Sequence, residues 1–154
     1  MIDKKFVLAG LLLLLVYFFP GYFSNDDSLE IYRNYQIITK TQTLEFKLKV
    51  ASTPVARAKG LMGVKYMPTN EGMIFIYSKP RRARFWMKNT YLPLDIIFID
   101  GDGVITQIVK NAEPLNKRNI MISYQPIKYA IEINGGLCDA LDIAIGDQLK
   151  DDIP

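Results

Sequence analysis

The chain has 154 residues, of which 49% are hydrophobic and 23% charged, with a net charge of +3, one cysteine and no histidine. The missing histidine excludes Ser-His and Cys-His catalysis, histidine general bases and ordinary zinc sites, so catalysis would have to come from carboxylates, Lys, Tyr or a metal held by other ligands. A single cysteine excludes an internal disulfide, and within LCDALDIAI Cys138 reads as a small buried hydrophobe.

Lys4 and Lys5 precede an uncharged run from Phe6 to Phe23. As a helix this run would rise about 27 Å, enough for a bilayer core. It has no polar face, and small residues do not stand where a signal peptidase needs them. Residues 1–24 are therefore expected to be a signal anchor rather than a cleaved signal peptide, with the membrane met through residues 6–23. The two lysines predict an inner-membrane anchor with the domain on the periplasmic or extracytoplasmic side, or a secreted domain if cleavage occurs. Residues 25–30 form a short polar linker, and residues 31–154 are long enough for one domain with one core. The first 24 residues hold Asp3, Lys4 and Lys5, so the remainder carries 17 basic and 15 acidic side chains. That balance argues against nucleic acid.

Leu44, Phe46, Leu48 and Val50 alternate with mostly polar neighbours and predict a half-buried strand. Thr53-Pro54 reads as an N-cap followed by Pro at the first helical position, opening a short helix that ends near Gly60 or Gly63. A strand is expected over 73–77, a turn at Ser78-Lys79-Pro80, and a short strand over Arg84–Lys88, interrupted at Asn89-Thr90. LDIIFID, from Leu94 to Asp100, is apolar on both faces and is expected to be central. Asp100-Gly101-Asp102-Gly103 turns the chain into VITQIVK as a hairpin partner. A polar loop over 111–118, a strand YAIEI at 129–133, a short helix near Leu137–Leu141 and a last strand at Gln148-Leu149 complete the pass. The fold class expected is mainly β, a compact antiparallel barrel or sandwich with one or two short helices.

KGLM at 59–62, EGMIFIY at 71–77, FWMKNTYLPLDIIFID at 85–100 and IGD at 145–147 resemble the bacterial and archaeal domain-of-unknown-function family 192, in the right order from about Leu44 to Leu149. The resemblance implies a small, mainly β domain, often behind a signal sequence, and brings no established activity. Family members usually carry acidic and basic residues before GLM; here the stretch reads TPVARAKGLM, with Val55 and Ala56 where a Glu would be expected.

An extended backbone sends Arg84, Trp86 and Lys88 to one side and Phe85 and Met87 to the other. An indole beside cations suits a ring or an anion, and the plainer alternative is Trp86 packed under a loop with Lys88 over it. Asp95 opens the apolar run and must find partners; Lys88 or the amides of Asn89 and Thr90 are the nearest in sequence, which makes a structural role the first expectation. The candidate ligand-binding residues are thus Arg84, Trp86, Lys88, Asn89, Thr90, Asp95 and Glu71. Two readings stand beside this one. Two of Asp95, Glu71 and Glu132 could face each other as a carboxylate pair for glycan hydrolysis. Met62, Met73 and Met87, near the sole Trp, could hold Cu(I), although each also fits an apolar pattern. The expected function is a membrane-anchored binding or assembly module for a polar or anionic envelope ligand such as a glycan. It leans away from an enzyme and needs no cofactor, and its protein partners are open.

Overall fold

Alternating apolar positions build nine strands and two short helices among the residues that the computed structural model describes, 30–151. The expected anchor at 1–24, its membrane contact through 6–23 and most of the linker lie outside them. In chain order the elements are β1 (Tyr32–Ile38), β2 (Thr43–Ala51), α1 (Pro54–Lys59), β3 (Glu71–Arg81), β4 (Arg84–Phe85), β5 (Leu94–Ile99), β6 (Ile105–Ala112), β7 (Met121–Ile122), β8 (Ile127–Asn134), α2 (Leu137–Ala140) and β9 (Gln148–Asp151). Among the described residues no helix is long and apolar enough to cross a membrane.

Seven strands form one sheet in the order β6-β5-β8-β3-β2-β1-β9, while β4 and β7 pair separately. The sheet curls into a half-barrel whose edge strands meet at one corner. There Val104 bridges to Gln148, and the Leu149 N–H donates to Gly103 O at 2.8 Å. Curling gives the sheet two different faces, and both are buried. The inner face holds Ile37, Phe46, Leu48, Ile74, Ile97, Ile99, Ile131 and Ile133. The outer face holds Met73, Phe75, Tyr77, Ile96, Phe98 and Ala130, and it is covered by Leu61, Met67, Phe85, Met87 and Met121 from the connections and the small sheet. All six residues of β5 are buried, as a strand paired on both sides and covered on both faces requires. Each fully buried isoleucine contributes roughly 1.5–3 kcal/mol of transfer free energy.

The lid formed by β4 and β7 is tied down by polar groups rather than by strand length. Gln107, buried on β6, accepts from the Tyr124 N–H at 2.8 Å through its Oε1 and donates to Ile122 O through its Nε2. Ser123 Oγ accepts from the Ala83 N–H at 3.0 Å.

Four expectations change. The sheet is not purely antiparallel, because β2 and β3 run parallel. A parallel neighbour requires a long crossover, and residues 52–70, with α1 inside them, supply it. Ser78-Lys79-Pro80 is not a turn but an exposed irregularity within β3, where the register with β8 shifts between Ile76 and Arg81. Pro80 is tolerated there because the ladder needs no donor from it. The strand expected over 84–88 stops at Phe85; the Met87 N–H donates to Asn116 O, and Asn89 turns the chain at φ 55°. The loop expected from 111 begins after Ala112.

Candidate functional site

One small pocket of about 60 Å³ lies on the outer face of the sheet. Its wall draws on each of the first three sequence blocks quoted above: Lys59 to Met62, Phe75 and Tyr77, and Phe85, Trp86 and Thr90. Arg57 and Arg84 add two guanidinium groups, and among the described residues Glu132 supplies the one acidic side chain of the wall.

Each part is placed by a local rule. Thr53 caps α1 by accepting from the Ala56 N–H at 3.1 Å, and Pro54 follows at the first turn. This short helix presents Arg57, whose guanidinium donates to Ile76 O at 3.0 Å and lies 5.0 Å from the Tyr77 ring centre. Arg81 stands 5.8 Å from the same ring on β3. Burial raises the Tyr77 phenol above its ordinary range, while Arg57 and then Arg81 pull it the other way. Gly60 ends α1 at φ 51°, and the Phe75 ring would lie 3.5 Å from any Cβ built there. Phe75, Phe85 and Phe98 stack edge to face under the pocket, with centroids 4.9 and 5.5 Å apart.

Glu132 sits on β8 opposite Met73 of β3 and Ile96 of β5. It is 5% exposed, and among the described residues its Oε2 finds no hydrogen-bond partner. Burial pushes its carboxyl up to about 8, so it holds a proton at neutral pH. A buried polar atom left unpaired inside a protein costs stability, and such atoms concentrate where a ligand or water completes the shell.

The candidate residues divide clearly. Arg84, Trp86 and Thr90 are on the pocket wall. Lys88, half-buried, places its ammonium 5.2 Å from the Trp86 ring centre at the rim. Trp86 itself is 47% exposed and separates the pocket from an open hollow of about 310 Å³ bounded by Arg84, Phe85 and Ile120. Asn89 acts through its backbone: its carbonyl accepts from the Gly63 N–H at 2.9 Å and ties the turn to the crossover. Met62 lines the pocket, whereas Met73 and Met87 are packed into the outer-face core, which is the plain reading of both.

Asp95 and Glu71 are elsewhere. Asp95 faces Ile133 in register while Glu132 faces Ile96, so the two acids lie on opposite faces of the sheet. The partners of Asp95 are not Lys88, Asn89 or Thr90. Its Oδ1 accepts from the N–H groups of Asn111 and Gly136 at 2.8 and 3.1 Å, and its Oδ2 from Cys138 at 2.8 Å. The carboxylate thus closes the turn after β8 and caps α2 from a distance. Glu71 shares the face of Glu132 but pairs with Lys47 at 3.4 Å and is not part of the wall. Cys138 is buried, and burial, followed by the Asp95 charge, raises its thiol far above the ordinary range, so it is inert at neutral pH.

Sequence reasoning missed Arg57 and Tyr77 and gave Glu132 only to the hydrolase alternative. The available signal was a lone acid inside YAIEIN and the separate blocks that had to meet somewhere.

Solved structures similar to this chain include the following two. A proposed transcription regulator from Sinorhizobium meliloti 1021 is 36% identical, with a TM-score of 0.76 over 79% of this chain and 95% of that one. A protein of unknown function from Novosphingobium aromaticivorans DSM 12444 is 34% identical, with a TM-score of 0.78 over 82% and 89%. No curated protein matches. The family model described as Uncharacterized ACR matches residues 36–150, and the chain belongs to that family, the domain-of-unknown-function family 192.

Proposed function

We propose that this chain is an exported binding or assembly module, held at a membrane by its apolar segment 6–23, whose pocket takes a polar or anionic cell-envelope component, with a glycan as the first class to try. The observation that carries the reading is Glu132, a buried carboxyl with one oxygen that finds no partner among the described residues, on the wall of a pocket rich in aromatic rings and cations. A saccharide unit offers the matching chemistry, with hydroxyls for the carboxyl and an apolar ring face for Trp86. The open hollow beyond Trp86 leaves room for a longer ligand to continue across the indole. Geometry weighs against the hydrolase alternative, since neither Asp95 nor Glu71 joins Glu132 on the wall.

Trp86 is the chain's only tryptophan and reports on the site directly. Titrating the full chain with envelope glycan fragments and with anionic polymers should shift its emission, and Lys88→Ala should weaken the response to the anionic ligands. An emission indifferent to all of them would count against the module. A reporter active only outside the cytoplasm, fused after Pro154, should be active and stay in the membrane fraction.

A further inference from the structure

We propose that Glu132 donates a hydrogen bond from its carboxyl group to an oxyanion of the bound ligand, a carboxylate or a phosphate, while Arg57 and Arg84 balance the charge. This rests on the pocket being the ligand site, and it names the chemistry that the site selects.

The titratable and charged groups of the pocket wall besides Glu132 are Tyr77 from β3, Arg57 and Lys59 from α1, and Arg84 from β4; Glu71 of β3 and Lys47 and Lys49 of β2 share the sheet face, Arg81 stands beside Tyr77, and the β5 neighbours Leu94, Ile96 and Phe98 carry none. Glu71 is already committed to Lys47. The pocket therefore offers guanidinium groups, an ammonium, a phenol and the Thr90 hydroxyl, with one acid among them. Such a wall repels an ammonium ligand and attracts an oxyanion. An ionised Glu132 would spoil that attraction, and a protonated one completes it as a further donor. Glu132 is enclosed between Met73 and Ile96, and its Oε2 is left open for a partner. Its burial keeps the carboxyl protonated at neutral pH. A protonated carboxyl that donates into an apolar, cation-rimmed site is a known device for holding negative charge.

The consequence is a pH dependence opposite to that of an ordinary carboxylate site. Ionisation of Glu132 puts a negative charge against the ligand, so affinity for an oxyanion falls as pH rises through the protonation range of Glu132. At high pH the loss approaches about tenfold per pH unit.

The test uses the full chain and the Trp86 emission with four probes: D-glucuronate, D-glucose, D-glucosamine and inorganic phosphate. Glucuronate is expected to bind better than glucose and glucosamine, and its affinity to fall above about pH 8 in a titration from about pH 6 to about pH 9.5. Phosphate binding with the same pH profile would identify phosphate as the oxyanion; glucuronate without phosphate would identify a sugar carboxylate. Glu132→Gln keeps a donor of the same shape and should retain glucuronate binding while losing the pH dependence. Glu132→Leu removes the donor and should lose binding. Glucosamine binding better than glucuronate and glucose at neutral pH would mean that Glu132 works as a carboxylate, and would overturn the inference while leaving the binding module intact. Glucuronate binding that is equal at all pH values in the wild type would overturn it as well. Silence of all four probes would count against the oxyanion assignment, and if envelope glycans and anionic polymers are silent too, the module itself fails.

Discussion

Two carboxylates of the chain, both buried within the same sheet, have opposite fates that follow from what surrounds each oxygen. Asp95 is 0% exposed and accepts three backbone N–H groups, so its charge is spread over donors that would otherwise be orphaned at a turn and at the start of α2. Among the described residues Glu132 Oε2 finds no donor, and the side chain answers burial by keeping its proton. The asymmetry makes a prediction for Asp95. Asp95→Asn retains one acceptor oxygen but turns an amide donor toward a backbone donor, which leaves at least one buried N–H unpaired at a cost of about 1–3 kcal/mol. Asp95→Ala orphans all three and should cost more. Chemical denaturation measures both, and wild-type stability in either variant would remove Asp95 from its structural role.

At the scale of the element, the close approach of β3 and β8 decides what can stand beside Glu132. A Cβ at Gly72 would lie 2.4 Å from the Glu132 carbonyl oxygen and 3.0 Å from both Ile133 Cγ2 and Leu48 Cδ2. The nearest atom is backbone, so the strand pair itself must move. Gly72→Ala is therefore expected to destabilise the fold by about 1–3 kcal/mol and to weaken the Trp86 response, because the shift is transmitted to the strand that carries Glu132. A Gly72→Ala protein with unchanged melting temperature would show that the strands are less tightly held than their geometry implies. Elements with a local signature were legible in the sequence: the capped helix at Thr53-Pro54, the hairpin at Asp100–Gly103, and β5, whose unbroken apolar run matches a strand buried on both faces. Elements held by distant partners were not. β1 shows only Tyr35 and Ile37 as buried alternate positions after an exposed start, too short a pattern to stand out. β7 is two residues fixed by Gln107.

Across the whole molecule, the pocket was hidden for the same reason. In YAIEI, Ala130 and Glu132 occupy the alternate positions that would ordinarily face solvent, and that face is covered by the lid of β4 and β7, the connection after β4 and the crossover between β2 and β3. No local pattern encodes a cover brought from elsewhere in the chain. Burial of Glu132 also shapes the stability of the entire fold. Its folded value is about 8 against an ordinary 4.5, so between these values the folded state holds a proton that the unfolded state has released. The stabilising contribution is fully present below about pH 4.5 and is lost as pH rises through about 8, with a total on the order of 5 kcal/mol. Glu132→Gln lacks this titration. The stability of the variant relative to the wild type should rise with pH across that window and level off above it, as read by urea denaturation at a series of pH values. Parallel curves for the two proteins would mean that Glu132 is solvated and ionised.

The central claim is that the face carrying Trp86 and Glu132 receives a ligand while the face carrying Asp95 only holds the fold. Nuclear magnetic resonance of the full chain titrated with D-glucuronate near neutral pH tests it most directly. The account predicts that the Trp86 indole N–H and the backbone amides of Gly60, Tyr77 and Glu132 shift together and saturate, while the amides of Asn111, Gly136 and Cys138 around Asp95 stay in place. Shifts confined to the Asp95 side of the sheet, or none at the indole and Glu132, would contradict it.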